Sequence, residues 1–337
     1  MPMEGSILLD HGAGGKASAE LVGGLFAKHL GNEVLGQMDD AAVLPRPTGR
    51  LAVSTDSFVV DPIFFPGGDI GSLAVHGTVN DVAMRGATPL YLTVGFVLEE
   101  GLAIADLERV VASMAAAAKE AGVKVVAGDT KVVGRGQADK LFINTTGIGV
   151  IPEGLTLGAA QAKPGDAVLV SGTVGDHGVT IMASREGLGL DAPIASDSAP
   201  LNHLAAGLIK ACPGLRTLRD PTRGGLATAL NEIAALSGIS IELDEAAIPI
   251  DPAVGGVCEL LGLDPLYLAN EGKLICIVDS EQAPAALNAM RADAHGKGAA
   301  IIGRCGGERA GRVWINTSVG GRRILDMLSG EPLPRIC

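Results

Sequence analysis

The sequence predicts a mixed α/β chain of two domains followed by a short arm, and three observations carry that prediction. Strand-like apolar runs alternate with helix-like ones along most of the 337 residues. A single Gly- and Pro-rich stretch, "IPEGLTLGAAQAKPGD", interrupts the alternation near the middle. Periodicity then stops for good after residue 328, in a segment holding two prolines. With 47% apolar residues, each half can bury a core of its own. Only 3% are aromatic and 48 are glycine, so the interior must be built from small aliphatic side chains and tight backbone turns.

Near the start, "ILL" precedes "DHGAGGKASAEL", in which Gly12, Gly14 and Ala17 formally satisfy the dinucleotide-binding spacing. No clean second strand leads on to an acid, since "EVLGQMDD" breaks at Gly36. A Walker A loop is also excluded, because Asp10 stands six residues before Lys16 and Ala17 takes the place of the hydroxyl residue. A nucleotide site here must be of another type. Next come strands at "LAVST", "LYLTVGFVL", "KVVAG" and "LFINTTGIGV", with helices at "DIGSLAVHGTVNDVAMRG" and "IADLERVVASMAAAAKEAG". The break then sets a boundary near residue 152, giving domains at 1–151 and 152–328. The second half reads "AVLVSG", "LNHLAAGLIKAC", "LATALNEIAALSG", "ISIELD", "KLICIVD", "APAALNAMRADA", "GRVWIN" and "RRILDML". Residues 329–337 remain as a tail, whose last seven residues reach roughly 23 to 25 Å if extended.

Charge narrows the function. Lys and Arg total 26 against 38 Asp and Glu, a net charge of −12 with no basic block, which argues against nucleic acid as a partner. No basic segment followed by an apolar run opens the chain, and apolar runs such as "VVASMAAAA" end early, so a cytoplasmic protein with no membrane partner is expected. A mean hydropathy of +0.35 leaves apolar surface for a partner or a second copy. Five cysteines form no paired motif. Cys212, Cys258, Cys276 and Cys305 fall in apolar or turn contexts that suit inert packing, whereas Cys337 is the last residue.

Acidic residues recur where short apolar strands are expected to stop: Asp39 and Asp40 in "QMDDAAV", Asp56 in "LAVSTDSF", Asp129 in "KVVAGDTKVV". Asp81 in "VNDVAMRG" and Asp220 in "RDPTRGGLATAL" stand beside helices. Singly, each suits a cap or a turn; converging, they would repel unless a hard cation such as Mg²⁺ neutralised them. The "TRGG" turn, with Arg223, fits either a phosphate or a plain capped loop.

Taken together, "HGAGGK", "STDSFVVDPIFFPGGDIG", "VNDVAMRGATP", "GDTKVV", "DKLFINTTGIG", "SGTVGDHG", "DPTRGGLA", "NEGKL" and the terminal "PLPRIC" resemble the HypE family of hydrogenase maturation factors, the carbamoyl dehydratases. The resemblance runs from about His11 to Cys337 and lies within the superfamily of aminoimidazole ribonucleotide synthetase and selenophosphate synthetase. It implies a two-domain PurM-like fold: an N-terminal domain whose strands join a partner's across a homodimer, and a C-terminal α+β sandwich. It implies ATP and Mg²⁺ in the cleft, with metal or phosphate contacts from the motifs occupied by Asp40, Asp56, Asp81 and Asp220, and with Gly128, Asp129 and Thr130 near the nucleotide. It also implies that a carbamoyltransferase, HypF, loads Cys337, that the carbamoyl group is dehydrated to a thiocyanate, and that the cyano group passes to iron on a HypC–HypD complex.

That chemistry gives further residues a place. Glu271 in "ANEGKLICIV" is the nominated base, desolvated at the start of a buried strand, although spacing alone favours an exposed acid that caps the strand or pairs with Lys273. Lys131 is expected to hold developing oxygen charge or the γ-phosphate, the alternative being a solvated lysine. Cys337 becomes a tethered reactant on a mobile arm stiffened by Pro332 and Pro334, its thiol pKa raised by the adjacent α-carboxylate and offset by a cation such as Arg335. Two other readings stay open at this point: an ATP-dependent synthetase acting on a free small molecule, and a non-catalytic carrier of the modified tail.

Overall fold

The computed structural model describes residues 5–186, 194–328, 330 and 335–337. Alternation along β1 (Arg50–Phe58) sets the frame of the first domain: Leu51 and Val53 stay 60% and 65% exposed, while Ser54 and Asp56 turn inward. α1 (Ile70–Met84), β2 (Thr88–Glu99), α2 (Ile104–Ala121), β3 (Lys124–Val133) and β4 (Leu141–Ile151) follow. The four strands lie in the order β1-β4-β2-β3, antiparallel except for β2 and β3, whose parallel pairing requires the crossover that α2 supplies. Both helices cover one face, where Leu73, Val79, Leu107 and Met114 pack against Leu92, Val94, Phe96 and Ile143.

α1 differs in kind from α2. It starts at Asp69, whose Oδ1 accepts from the Gly71 and Ser72 N–H groups at 2.7 and 3.1 Å in a capping box. Nearly every residue of α1 is buried, because it lies between the sheet and the second domain: Val75 joins the first core, and Ala83 and Met84 join a core of the second. α2 is amphipathic and stops at Gly122, whose φ of 73° suits the left-handed cap.

The second domain runs β5 (Ala167–Val170), α3 (Asp176–Arg185), α4 (Asn202–Ala211), β6 (Leu215–Arg219), α5 (Gly225–Ser237), β7 (Ser240–Asp244), α6 (Pro252–Leu261), β8 (Ile275–Val278), α7 (Ala283–Ala292), β9 (Ala300–Gly306), β10 (Arg312–Asn316) and β11 (Arg322–Ile324). Its seven-stranded sheet has the order β11-β10-β7-β9-β5-β8-β6. β8 is buried on both faces: Ile275 and Ile277 join the core under α5, and Cys276 and Val278 join the core under α4 and α7. This is the expected α+β sandwich. The four cysteines expected to be inert are buried. Among the described residues no helix is long and apolar enough to cross a membrane.

Local expectations need correction. Asp56 and Asp129 lie within β1 and β3 rather than at strand ends, because ladder pairing with β4 and β2 carries both strands past the acid. Asp39 and Asp40 follow a single 3₁₀ turn, Leu35–Gln37, and the "ILL" segment leads into another, Leu9–Gly12, rather than a strand. The Pro332 and Pro334 of the expected arm lie outside the described residues. The last three residues are docked: Val59 N–H donates to the Cys337 carbonyl at 3.1 Å and Asp61 N–H to the Arg335 carbonyl at 3.4 Å.

Candidate active site

Four acids from different elements converge between the domains. Asp56 projects from β1 toward α1, where Thr78 donates to its Oδ2 at 3.4 Å. One turn along α1, Asp81 accepts from Ser54 Oγ at 2.6 Å. Asp220 follows β6 and is 6% exposed; Glu271, four residues before β8, is 3% exposed. Asp81, Asp220, Ser54, Arg85 and Arg219 line a pocket of about 230 Å³.

Packing carboxylates this closely perturbs them in a direction with a clear cause. Burial, then the neighbouring Asp81, pushes Asp56 up to about 6. Burial and Asp81 push Asp220 up to about 7, against the pull of Arg219. Glu271 is raised well above the ordinary carboxyl range by burial, then by Asp197, Asp220 and Asp56, with Arg223 opposing. Among the described residues no three side chains converge closely enough to hold a metal by themselves. The donors are nonetheless hard oxygens in a partly desolvated pocket, the set that holds Mg²⁺ through one or two carboxylates while phosphates complete the shell.

Glu271 is held from its backbone. Asp197 accepts the Glu271 and Gly272 N–H groups, both at 3.1 Å, and Lys273 Nζ at 3.2 Å. Lys273 also pairs with Asp176 at 3.5 Å, so it serves Asp197 and Asp176 rather than Glu271, and Glu271 is buried rather than exposed. Gly272 is required, since a Cβ there would lie 1.7 Å from the Asp197 carbonyl oxygen. From α1, Asn80 Nδ2 donates to the Ala199 and Glu271 carbonyls at 3.0 and 3.3 Å, and its Oδ1 accepts from Leu201 N–H at 2.7 Å.

Cys337 reaches this acid group. It shares a cleft with Arg223, whose charge acts on the thiol and which adjoins the left-handed glycine pair 224 and 225 at the start of α5. Burial, then Glu271, pushes the thiol up to about 12, with Arg223 opposing. The offsetting cation is therefore Arg223. Arg335 instead pairs with Asp139 at 2.9 Å, its backbone carbonyl held by the Asp61 N–H and its Nε donating to the Val59 carbonyl at 3.4 Å. Ile336 is buried, and His177 Nε2 meets its carbonyl at 2.8 Å. Arg223, Thr228, Tyr267, Ala269 and Cys337 line a cleft of about 620 Å³.

The remaining predicted residues stand elsewhere. Gly128, Asp129, Thr130 and Lys131 share a groove of about 380 Å³ with Asp39 and Asp40, floored by Leu21, Phe26 and Phe96. Lys131 pairs with Asp129 at 2.9 Å, both largely exposed, and its charge holds the Asp129 carboxyl low. The structure thus brings Asp56, Asp81, Asp220, Glu271, Arg223 and Cys337 together, and it does not bring Asp40 or Lys131 to them. The two places are linked by register: Asp56 pairs with Thr145, Thr145 with Val94, and Val94 with Gly128. They therefore occupy one row of the sheet, three strand spacings or roughly 14 Å apart. Sequence reasoning missed Asp197, Asn80, His177 and Lys273. Asn80, His177 and Lys273 fall inside flagged motifs, whereas Asp197 sits in "IASDSAPL", which reads only as loop.

Comparison with known proteins accounts for this arrangement. Residues 38–151 match the family model "AIR synthase related protein, N-terminal domain", and residues 163–316 match its C-terminal domain. The chain is 57% identical over 333 residues to the carbamoyl dehydratase HypE of Azotobacter vinelandii, covering 99% of this chain and 98% of that one. A crystal structure of the hydrogenase maturation protein HypE in complex with ATP superposes with a TM-score of 0.95 at 56% identity, covering 98% of this chain and 99% of that one. The HypE chain of a HypE–HypF complex does so with a TM-score of 0.81 at 51% identity, covering 91% and 99%. From its two AIR-synthase-related domains to its terminal cysteine, the chain belongs to the HypE family of carbamoyl dehydratases, within the PurM-like superfamily.

Proposed function

We propose that this chain is an ATP-dependent carbamoyl dehydratase of hydrogenase maturation that acts on its own C-terminus, turning the S-carbamoyl group of Cys337 into a thiocyanate. The observation that carries this reading is the docking of Cys337 in the cleft that Arg223 lines, near enough to the buried Glu271 and to Asp56 for their charges to act on its thiol. Converting S–C(=O)NH₂ to S–C≡N removes the oxygen and both nitrogen protons. When bound, ATP supplies the phosphoryl group with which the oxygen departs. Arg223 stabilises charge growing on the carbamoyl oxygen. Glu271, whose burial makes its ionised form a stronger base, takes a proton from nitrogen. Asp197 and Asn80 fix its backbone, so the carboxylate is aimed before the reaction begins.

Asp56, Asp81 and Asp220 would hold Mg²⁺ together with phosphate oxygens, which is what their mutual repulsion favours. Gly128, Asp129, Thr130 and Lys131 would take part of the nucleotide, since they stand one sheet width from the acids. The exposed face carrying Leu51 and Val53 suits strand-to-strand packing with a second copy, supporting a homodimer. HypF is the expected loader, given the complex it forms with a relative, and a HypC–HypD complex the expected cyano acceptor. Five unpaired cysteines fit a reducing cytoplasm. The test is mass spectrometry of the C-terminal peptide after carbamoylation. Addition of ATP should remove the mass of one water from wild-type protein, and an unchanged carbamoyl mass would overturn the proposal.

A further inference from the structure

One buried histidine is left unused by that chemistry. His177 is the second residue of α3, fully buried with Phe65 edge-on at 5.6 Å. Its Nδ1 lies 2.8 Å from Ser196 Oγ and its Nε2 lies 2.8 Å from the Ile336 carbonyl oxygen. A carbonyl only accepts, so Nε2 carries the hydrogen and donates. Ser196 agrees with that tautomer: its Oγ accepts from Ser198 N–H at 3.1 Å, leaving its own hydrogen for Nδ1. The serine is fixed in turn, because its N–H donates to the Pro66 carbonyl at 2.9 Å. Burial keeps the ring below its ordinary pKa, hence neutral, as this arrangement needs.

The bond falls on the peptide immediately before Cys337. At the far end of α3, Arg185 donates to the Arg335 carbonyl and, at 2.5 Å, to the Asp61 carbonyl. Both residues therefore read main-chain carbonyls of the tail, groups that stay the same whatever the sulfur carries. We propose that His177, oriented by Ser196, is a positioning residue that latches the Ile336 carbonyl and so sets how long Cys337 stays in the cleft. Because the latch ignores the cargo, it holds bare, carbamoylated and cyanated tails alike. It favours the step performed inside the cleft and opposes every step that needs the tail outside.

This rests on the proposed self-dehydration only for its second readout. The first is alkylation of Cys337 by iodoacetamide in the full-length, unmodified protein, followed on the C-terminal peptide; the other four cysteines are buried. The docked thiol is desolvated and weakly acidic, so alkylation passes through the undocked state. His177→Phe keeps the ring volume against Phe65 but strips the donor, leaving the Ile336 carbonyl unpaired when docked. Alkylation should quicken roughly tenfold, while His177→Gln, which returns an amide donor, should stay near wild type. In a single turnover of carbamoylated protein, His177→Phe should slow dehydration by a similar factor without slowing carbamoylation.

An unchanged alkylation rate in folded His177→Phe overturns the latch, whatever the dehydration assay gives. Equal slowing of loading and dehydration also overturns it, as the mark of a merely structural role. Faster alkylation with no dehydration even in wild type leaves the latch standing and removes the function instead. Should His177→Phe fail to fold, Ser196→Ala decides: it releases the tautomer constraint, and alkylation no faster than wild type overturns the proposal.

Discussion

At the scale of single residues, the site couples a base, a cation and a sulfur whose properties each depend on the others. Glu271 is buried among carboxylates that raise its pKa, so replacing it with a neutral isostere should relieve strain while abolishing proton transfer. Glu271→Gln should lower the dehydration rate by about a hundredfold or more and leave the melting temperature equal or higher, as read by single-turnover mass spectrometry and calorimetry. A melting temperature well below wild type would mean that the carboxyl is structural. Lys131 stands in the other groove, so Lys131→Ala should raise the ATP concentration needed for half-maximal rate instead, with Cys337 alkylation unchanged. Cys337, Asp56, Asp81 and Asp220 were legible as candidates, because a terminal thiol is unusual and the acids, ordinary one by one beside strands and helices, recur in motifs that resemble one family. Arg223 was legible as a charge, yet its nearness to the sulfur was not, since residues 223 and 337 are far apart in sequence and only the fold brings them into one cleft.

At the scale of elements, α1 does more than cover the sheet. Its polar residues Thr78 and Asp81 face β1, whereas Asn80 faces the second domain and by itself satisfies three backbone groups there. Asn80→Leu leaves the Ala199 carbonyl and the Leu201 N–H unpaired in the interior, with only the Ala199 N–H at 3.4 Å remaining to the Glu271 carbonyl, and should cost about 2–3 kcal/mol, measured as a lowered denaturant midpoint. It should also slow dehydration, because the Glu271 carbonyl loses a donor. The existence and type of the longer helices and strands were readable from periodicity, which reports burial of one or both faces. Asp56 and Asp129 were misread as strand ends because polarity ends a strand only where no neighbour supplies a ladder, and β4 and β2 do supply one. Asp197 was invisible for a related reason: it acts through backbone N–H groups some seventy residues away in sequence, a relation no local pattern encodes.

At the scale of the whole molecule, the acid group ties folding to pH and to the ligand. Asp56 and Asp220 have folded pKa values of about 6 and about 7, and Glu271 lies well above its ordinary value. The folded chain therefore binds more protons than the unfolded chain from roughly pH 4 upward through these values. These acids therefore contribute stability that is lost as pH rises through that window, while the buried His76 and His177, both held below the ordinary histidine pKa of 6.5, act in the opposite sense up to that pH. A divalent cation bound by the ionised acids should oppose that loss, and it should do so more strongly where protons no longer compete. Melting temperature measured with EDTA should decline from pH 6.5 to about pH 8, where the histidines no longer titrate and the acids still do. Added Mg²⁺ should raise it by more at pH 8 than at pH 5, with a few degrees expected for each kcal/mol of binding. Asp81→Asn, which removes the charge raising both Asp56 and Asp220, should flatten the decline and shrink the Mg²⁺ effect together. A melting temperature that rises from pH 6.5 toward about pH 8 in EDTA would show that the acids are not protonated in the folded chain, and would remove electrostatic repulsion as the reason to expect a metal in this cleft.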